Sequence, residues 1–366
     1  MNKKKIGIVT FHTADNYGAV FQAYALQEYI RSYIEGEVWI IDFNTPYHES
    51  EHSVFKKAPD FIRSIVYNVF ILLYYRPLKK RIKRFATFRH EFLRLTPHKY
   101  NSEQDFLSNM EPFDYYISGS DQVFNPHVRF SDCYFLGFNK GNGKKVAYAP
   151  SFGIVSFTKE ENERIKELVS DFDALSCREK VGADYLSSIT SRGILAVCDP
   201  VFLFTKKEWE LIIRPVNHIK PYIFLYDLNG GYNLIDLARK VSAANGNLEI
   251  ICATTSTRRF YKGVKVIRSL GPCEFLSYIS SAACVVTDSF HGTSFSLILE
   301  KKVICYIALR YASSRIESLA ASLNIQKQIV YDIHSFNWNN ITFNDYRDCL
   351  NSFSKESQRY LCSVLQ

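Results

Sequence analysis

The stretch TDSFHG, residues 287–292, sets Asp288, Ser289 and His291 between the apolar run CVV and a second apolar run. A strand ending at Thr287 or Asp288, followed by a helix starting near Gly292, would give these residues a purpose. Asp288 or Ser289 would cap the helix. Its first turn would offer backbone N–H groups and partial positive charge to an anion, and Gly292 would admit a ligand close to the backbone. His291 would stand at the mouth of a cleft between two halves of the chain, placed as a general acid. The plainer alternative is a capped helix with an incidental histidine.

Four other stretches carry candidate chemistry. ALSCREK places Arg178 just past a short strand, where a planar guanidinium could grip carboxylate or phosphate; the alternative is a surface ion pair with Glu179 or a neighbour. ALRYASSRIESL offers Arg310 and Arg315 beyond the strand that follows the His291 helix, as further positive charge or as solvated loop residues. GSDQVF puts Asp121 after a glycine at a strand end, as a base toward a sugar hydroxyl or as a helix cap. HTADNYGAVFQ offers Asn16, Tyr17 and Gly18 ahead of a helix, shaping an acceptor site; without Gly-Lys-Ser/Thr it is not a P-loop. Asp199, in CDP, reads as a strand stop.

The elements that must position these residues alternate. KIGIVTF, EVWIIDF, FDYYIS and KKVAYA are strand-like runs, with FQAYALQEYIRSY and TKEENERIKELVSDF as helices among them. After a junction near 206–220 the rhythm restarts with PYIFLYDL, LEIICATT, CVVTD and KVICYI, again with helices between. Such alternation predicts parallel sheets with helices on their faces, and ligands at the carboxyl ends of the strands. The expected organisation is an α/β domain over 1–210 with a basic, aromatic, helical insertion at about 50–110, a second α/β domain over 211–340, and a helical tail over 341–366 that packs back on the first domain.

Composition narrows the classes. The 366 residues include 28 Phe and 24 Tyr, enough for two well-filled cores. The formal charge is +8, but residues 76–94, RPLKKRIKRFATFRHEFLR, hold eight Lys or Arg against one Glu, so the rest of the chain is nearly neutral. One helix-like basic segment without a recognised motif argues against nucleic acid as a partner. The nine cysteines include no two that are two or three positions apart, so no metal site or redox pair is expected, and several lie in apolar runs as small core residues of a reduced, cytoplasmic protein. The apolar part of MNKKKIGIVTF is too short for a signal peptide and reads as a first strand. IVYNVFILLYY, 65–75, is too short to span a bilayer.

DNYGAVFQAYALQ, ISGSDQVFNP, AYAPSFG, LSCREKVGADYL, CDPVFLF and TDSFHGTSFSLIL follow one another in an order that resembles the polysaccharide pyruvyl transferase family, from about residue 5 to residue 325. The resemblance implies two facing Rossmann-like domains, similar to the GT-B arrangement. It implies transfer of the enolpyruvyl carbons of phosphoenolpyruvate onto two hydroxyls of a sugar, giving a pyruvate ketal. Phosphoenolpyruvate is then a co-substrate, and neither cofactor nor metal is expected. Arg178 matches a family arginine implicated in donor binding, and His291 matches the family's essential histidine. Many members carry Arg-Leu-His where this chain has Ser289-Phe290-His291; a later family lysine is here Tyr311, with Arg310 beside it, so Arg310 or Arg315 is the expected substitute. The acceptor implied is a sugar or a lipid-linked saccharide, which would give the 61–94 segment a role in peripheral contact with the anionic inner face of the membrane; the plainer alternative is a solvated helix face plus ordinary core. The rivals are a GT-B glycosyltransferase with a nucleotide-sugar donor and a non-catalytic sugar-binding protein.

Overall fold

Apolar runs bounded by turn residues become parallel strands closed on both faces. A computed structural model describes the backbone of residues 3–33, 36–45, 61–129, 131–138, 141–153, 155–216, 220–228, 231–256, 261–307 and 314–366, and the side chains of the same residues apart from 61–70, 129 and 314. The chain groups into two units, one of Met1–Glu51, Arg89–Phe204 and Arg347–Gln366, the other of His52–Phe88 and Thr205–Tyr346.

The first unit contains β1 (Lys4–Val9), α1 (Tyr17–Tyr33) and β2 (Gly36–Phe43). Helix α2 (Phe61–Phe92) then passes from the residues of the second unit into those of the first. β3 (Leu95–Tyr100), β4 (Tyr115–Ser118), β5 (Lys144–Ala147), α3 (Lys159–Ser170), β6 (Ser176–Cys177), α4 (Lys180–Thr190) and β7 (Leu195–Ala196) follow in it, with short helices at Glu103–Ser108 and Pro126–Arg129. The sheet order is β3-β2-β1-β4-β5, parallel throughout. β6 and β7 form a parallel pair, and the bridge Val146↔Ala174 carries the pairing onward from β5. Tyr115–Ser118 is buried at every residue, as a central parallel strand covered on both faces must be. Thr158 opens α3 with a reciprocal capping box to Glu161, while Ile165, Leu168 and Val169 turn inward.

The second unit contains β8 (Tyr222–Asp227), α5 (Tyr232–Ala244), β9 (Glu249–Thr254), β10 (Lys265–Ile267), α6 (Pro272–Ser281), β11 (Cys284–Thr287), α7 (Phe290–Ile298), β12 (Val303–Tyr306), α8 (Ser314–Leu323) and β13 (Ile329–Val330). Its sheet order is β10-β9-β8-β11-β12-β13, again parallel. Strands β8, β11 and β12 are wholly buried. Helix α9 (Arg347–Val364) then returns to the first unit: Ser357 Oγ accepts from Cys198 N at 2.8 Å, and Tyr360 donates to the Ala147 carbonyl at 3.2 Å.

Two expectations about residues 50–110 are corrected. The segment is not one helical insertion in the first domain, because residues 52–88 group with the second unit. Arg84 pairs with Glu274 at 3.1 Å and donates to the Ser269 carbonyl at 2.8 Å, while the Arg268 guanidinium lies 4.2 Å from the Tyr74 ring centre. Nor is it all helix: LTPHKY forms β3, on the edge of the first sheet, where Pro97 leaves no inner ladder bond unmade. Residues 46–60 lie outside the described residues. Seven cysteines are buried, Cys349 is exposed and Cys362 is half-buried; all nine are free thiols.

Candidate active site

Open parallel sheets present ligand sites where strand order reverses, at the carboxyl ends of the two diverging strands. In the first unit that place is between β1 and β4, in the second between β8 and β11. Asn16 and Asp121 lie on loops beside the first place; Asp288, Ser289 and His291 lie beside the second.

In the first unit the β1 edge continues as Thr10, Phe11 and His12, all buried, before α1 begins. Asn16 is exposed and its Oδ1 accepts from Ala19 N at 3.3 Å, as a cap does, whereas Tyr17 and Gly18 are buried. Thr10 joins the two edge loops: its hydroxyl accepts from Gln22 Nε2 at 2.7 Å and donates to the Ser120 carbonyl at 3.0 Å. Asp121 follows, half-buried, with φ at 72° and its Oδ1 accepting from Gln122 N at 2.9 Å. Left-handed backbone is uncommon outside glycine, though Asp tolerates it better than most, and it re-aims the chain at a loop tip. Ala149, in the loop after β5, has φ at 53°, and the two loops pair through the bridge Asp121↔Pro150. Left-handed residues thus sit on the loops that leave two adjacent strands, β4 and β5.

Arg178 belongs to the same edge but is no surface cation. It is 5 % exposed, and its Nε and Nη1 donate to Glu179 Oε1 at 2.9 Å and Asp199 Oδ2 at 2.8 Å. Asp199 Oδ2 also accepts from Ser120 Oγ at 3.2 Å, and Glu179 Oε1 from Ser151 Oγ at 2.8 Å. Burial alone would lower the guanidinium's proton affinity, but the charges of Glu179, Asp199 and Asp121 outweigh it and raise it further. The surface ion pair weighed against function is therefore corrected to a buried one. Asp199 is more than a strand stop, and the Arg178 charge is met from within the fold.

In the second unit Thr287 ends β11 and donates to the Tyr226 carbonyl at 2.9 Å. Ser289 is the cap of α7: its Oγ accepts from Gly292 N at 3.2 Å. Asp288 does not cap; its Oδ1 accepts from Leu228 N at 2.9 Å and ties the β8 loop to the β11 loop. His291 lies in the first turn of α7, 8 % exposed, its ring edge-to-face with Phe290 at 5.1 Å. A Cβ at residue 292 would stand 2.6 Å from Thr287 Oγ1 and 3.0 Å from Tyr226 Cδ1. Gly292 thus lets α7 start tight against the sheet, a use that stands beside the expected one as an opening for ligand. Arg315 is half-buried in the first turn of α8, on the chain leaving β12; Arg310 lies outside the described residues.

Two constellations at these edges escaped sequence reasoning. Asp227 ends β8, 1 % exposed, and accepts from the Tyr261 hydroxyl at 2.5 Å. His12 sits between the Thr10 carbonyl and Asp42 Oδ1, each 3.2 Å from a ring nitrogen. The signal was present: an acid closing the apolar run PYIFLYD, and another inside EVWIIDF. The partners, 34 and 30 residues away, could not be paired without the fold. Among the described residues, no three His, Cys, Asp or Glu are grouped to hold a metal ion.

Comparison with known proteins follows the same lines. The family model for polysaccharide pyruvyl transferase matches residues 16–307, more than half of the chain. No curated protein matches the sequence. Among solved structures, the UDP-GlcNAc 2-epimerase of Methanocaldococcus jannaschii is similar at 12 % identity and a TM-score of 0.54, over 99 % of each chain. A putative UDP-N-acetylglucosamine 2-epimerase from Listeria monocytogenes is similar at 11 % identity and a TM-score of 0.52, over 98 % of this chain and 90 % of its own. These likenesses show a shared fold, the two-sheet Rossmann-like α/β organisation of GT-B proteins.

Proposed function

Because the chain belongs to the polysaccharide pyruvyl transferase family, and so is a transferase of polysaccharide biosynthesis, we propose that it transfers the enolpyruvyl carbons of phosphoenolpyruvate to two hydroxyls of a sugar in a surface polysaccharide precursor. The observation that carries this reading is His291 in the first turn of a capped helix at the reversal of strand order in the second sheet. A helix N-terminus favours anions, and phosphoenolpyruvate brings a phosphate and a carboxylate to it.

The steps balance without a metal. An acid protonates the methylene carbon, which leaves oxocarbenium character on the neighbouring carbon. One sugar hydroxyl adds there and gives up its proton. The C–O bond to phosphate breaks, and the second hydroxyl closes the ring, its proton leaving with phosphate or to a base. His291 takes the acid role, toward carbon or toward the departing phosphate. Asp121, on a strained loop tip of the first unit, takes a hydroxyl proton, and Asn16 contacts the acceptor. Arg178, neutralised by Asp199 and Glu179, holds the Ser120–Asp121 turn, while Ser289 caps the His291 helix. Arg315 and Arg310 supply cationic charge for the donor.

The test is incubation with phosphoenolpyruvate and a nitrophenyl or lipid-linked glycoside. Release of inorganic phosphate together with a glycoside mass gain of about 70 daltons, pyruvate less water, is the expected result. Nucleoside diphosphate release from a nucleotide-sugar, with no reaction of phosphoenolpyruvate, would replace this reading with glycosyl transfer.

A further inference from the structure

Helix α2 has two faces with different fates. Ile71, Phe85 and Phe88 are buried, Arg84 is tied to Glu274 and Ser269, and Tyr74 lies against Arg268. These residues recur at helical spacing and define the inner face. The opposite face carries Leu72, Leu73, Arg76, Lys79, Lys80 and Lys83, all exposed. At 3.6 residues per turn these six fall within an arc of about 120° and along about 17 Å of helix. Leu72 and Leu73 are 61 % and 73 % exposed, at the end of the stripe where the cations begin. Residues 61–90 contain no Asp or Glu. Among the described residues, Arg76, Lys79, Lys80 and Lys83 make no ion pair; the Lys79 ammonium lies only over the Tyr75 ring, 5.5 Å from its centre.

The pattern asks for a partner that is anionic over an extended surface and apolar just beneath it. A nucleic acid meets the first demand and offers nothing to two adjacent leucines. A bilayer of anionic phospholipid meets both: phosphates at the depth of the ammonium groups, acyl chains one layer deeper. Long Lys and Arg side chains reach the headgroup layer while their stems and the leucines sit lower. No helix among the described residues is long and apolar enough to cross a membrane. The contact required is therefore one that lies along the interface.

We propose that the outer face of α2, from Leu72 to Lys83, docks on an anionic phospholipid surface, with Arg76, Lys79, Lys80 and Lys83 at the phosphates and Leu72 and Leu73 inserted below them. The inference stands apart from the transfer chemistry, since binding to vesicles is measured without donor or acceptor.

The experiment is co-sedimentation of the full chain with phosphatidylcholine vesicles, with and without about 30 % phosphatidylglycerol. The protein is expected to pellet with the anionic vesicles only and to be released by about 0.5 M salt, which shortens the reach of surface charge to a few ångströms. K79E/K80E/K83E lowers partitioning about a hundredfold, at roughly fivefold for each cation lost. L72S/L73S, which keeps every charge, lowers it about tenfold. R76Q/K83Q, a milder change on the same exposed face, gives an intermediate loss of about twentyfold and serves should the triple reversal fail to fold. The idea is overturned by no pelleting with anionic vesicles at low salt, or by undiminished pelleting of the charge-reversed or Gln variants. It is equally overturned if L72S/L73S binds as the parent does while duplex DNA strips the protein from vesicles, which would assign the stripe to nucleic acid.

Discussion

Arg178 and Asp199 form a buried ion pair, Nη1 to Oδ2 at 2.8 Å, with 5 % and 1 % of their surfaces exposed. Asp199 binds Ser120 through the same oxygen and caps Val201 N with the other at 3.1 Å. One carboxylate thus holds the guanidinium, the turn leading to Asp121 and the short helical turn that follows β7. Without Asp199 the guanidinium would still face Glu179, but Arg178 Nη1, Ser120 Oγ and Val201 N would each lose a buried acceptor.

Asp199→Ala is therefore expected to lower the unfolding free energy by about 3–5 kcal/mol. Urea denaturation followed by tryptophan fluorescence measures it. Pairing that change with Arg178→Met should recover none of the loss, since it leaves the buried Glu179 carboxylate without its cation. A single variant within about 1 kcal/mol of the parent would show that the pair does not organise this edge.

His291→Ala should lower turnover by about 10²–10⁴ with the fold retained, the range expected when a positioned acid is removed. Ser289→Ala removes only the side-chain cap of α7 and is expected to cost about 1 kcal/mol of stability, with a smaller loss of turnover. Phosphate release from phosphoenolpyruvate, alongside thermal unfolding, separates the two effects. Parental turnover in His291→Ala removes the acid assignment.

Strands such as YIFLYD, EIICAT and CVVT were legible because a parallel strand covered on both faces needs an unbroken apolar run, and such runs stand out in a sequence. β3 was not legible: LTPHKY contains a proline, and only Thr96 and Tyr100 are buried, so neither periodicity nor composition marks it. At the site, His291 and its capping serine were visible because cap, histidine and glycine are neighbours in the chain. The burial of Arg178 was not, because its second carboxylate comes from Asp199, beyond α4 and β7. Gly292 was visible, but its use was not. A glycine at a helix start looks the same whether a ligand or the Thr287 hydroxyl occupies the missing side chain's place.

Gly292→Ala distinguishes those two uses. A methyl group 2.6 Å from Thr287 Oγ1 forces α7 away from β11. Overpacking of this kind costs about 1–3 kcal/mol, against a helix-propensity gain of about 1 kcal/mol. Net destabilisation by denaturant is expected. An alanine variant of parental stability that fails only to bind donor would return Gly292 to a ligand-approach role.

The buried thiols set a pH limit on stability. Burial pushes Cys198, Cys284 and Cys305 up to about 12, from an ordinary value of 9.0. In the unfolded chain these thiols ionise near their ordinary value, whereas in the fold they stay protonated until about 12. The folded state then binds more protons than the unfolded one, so stability must fall as pH rises. The contribution is complete below the ordinary thiol value, declines from there, and is gone above the folded value. The urea midpoint is expected to hold near neutrality and to drop progressively between about pH 9 and about pH 11. Over the same range a thiol reagent should modify exposed Cys349 quickly in the native protein, and the buried thiols only as the fold opens. Rapid native-state labelling of Cys198, Cys284 or Cys305 at about pH 9 would show that these sulfurs are not sealed in the core.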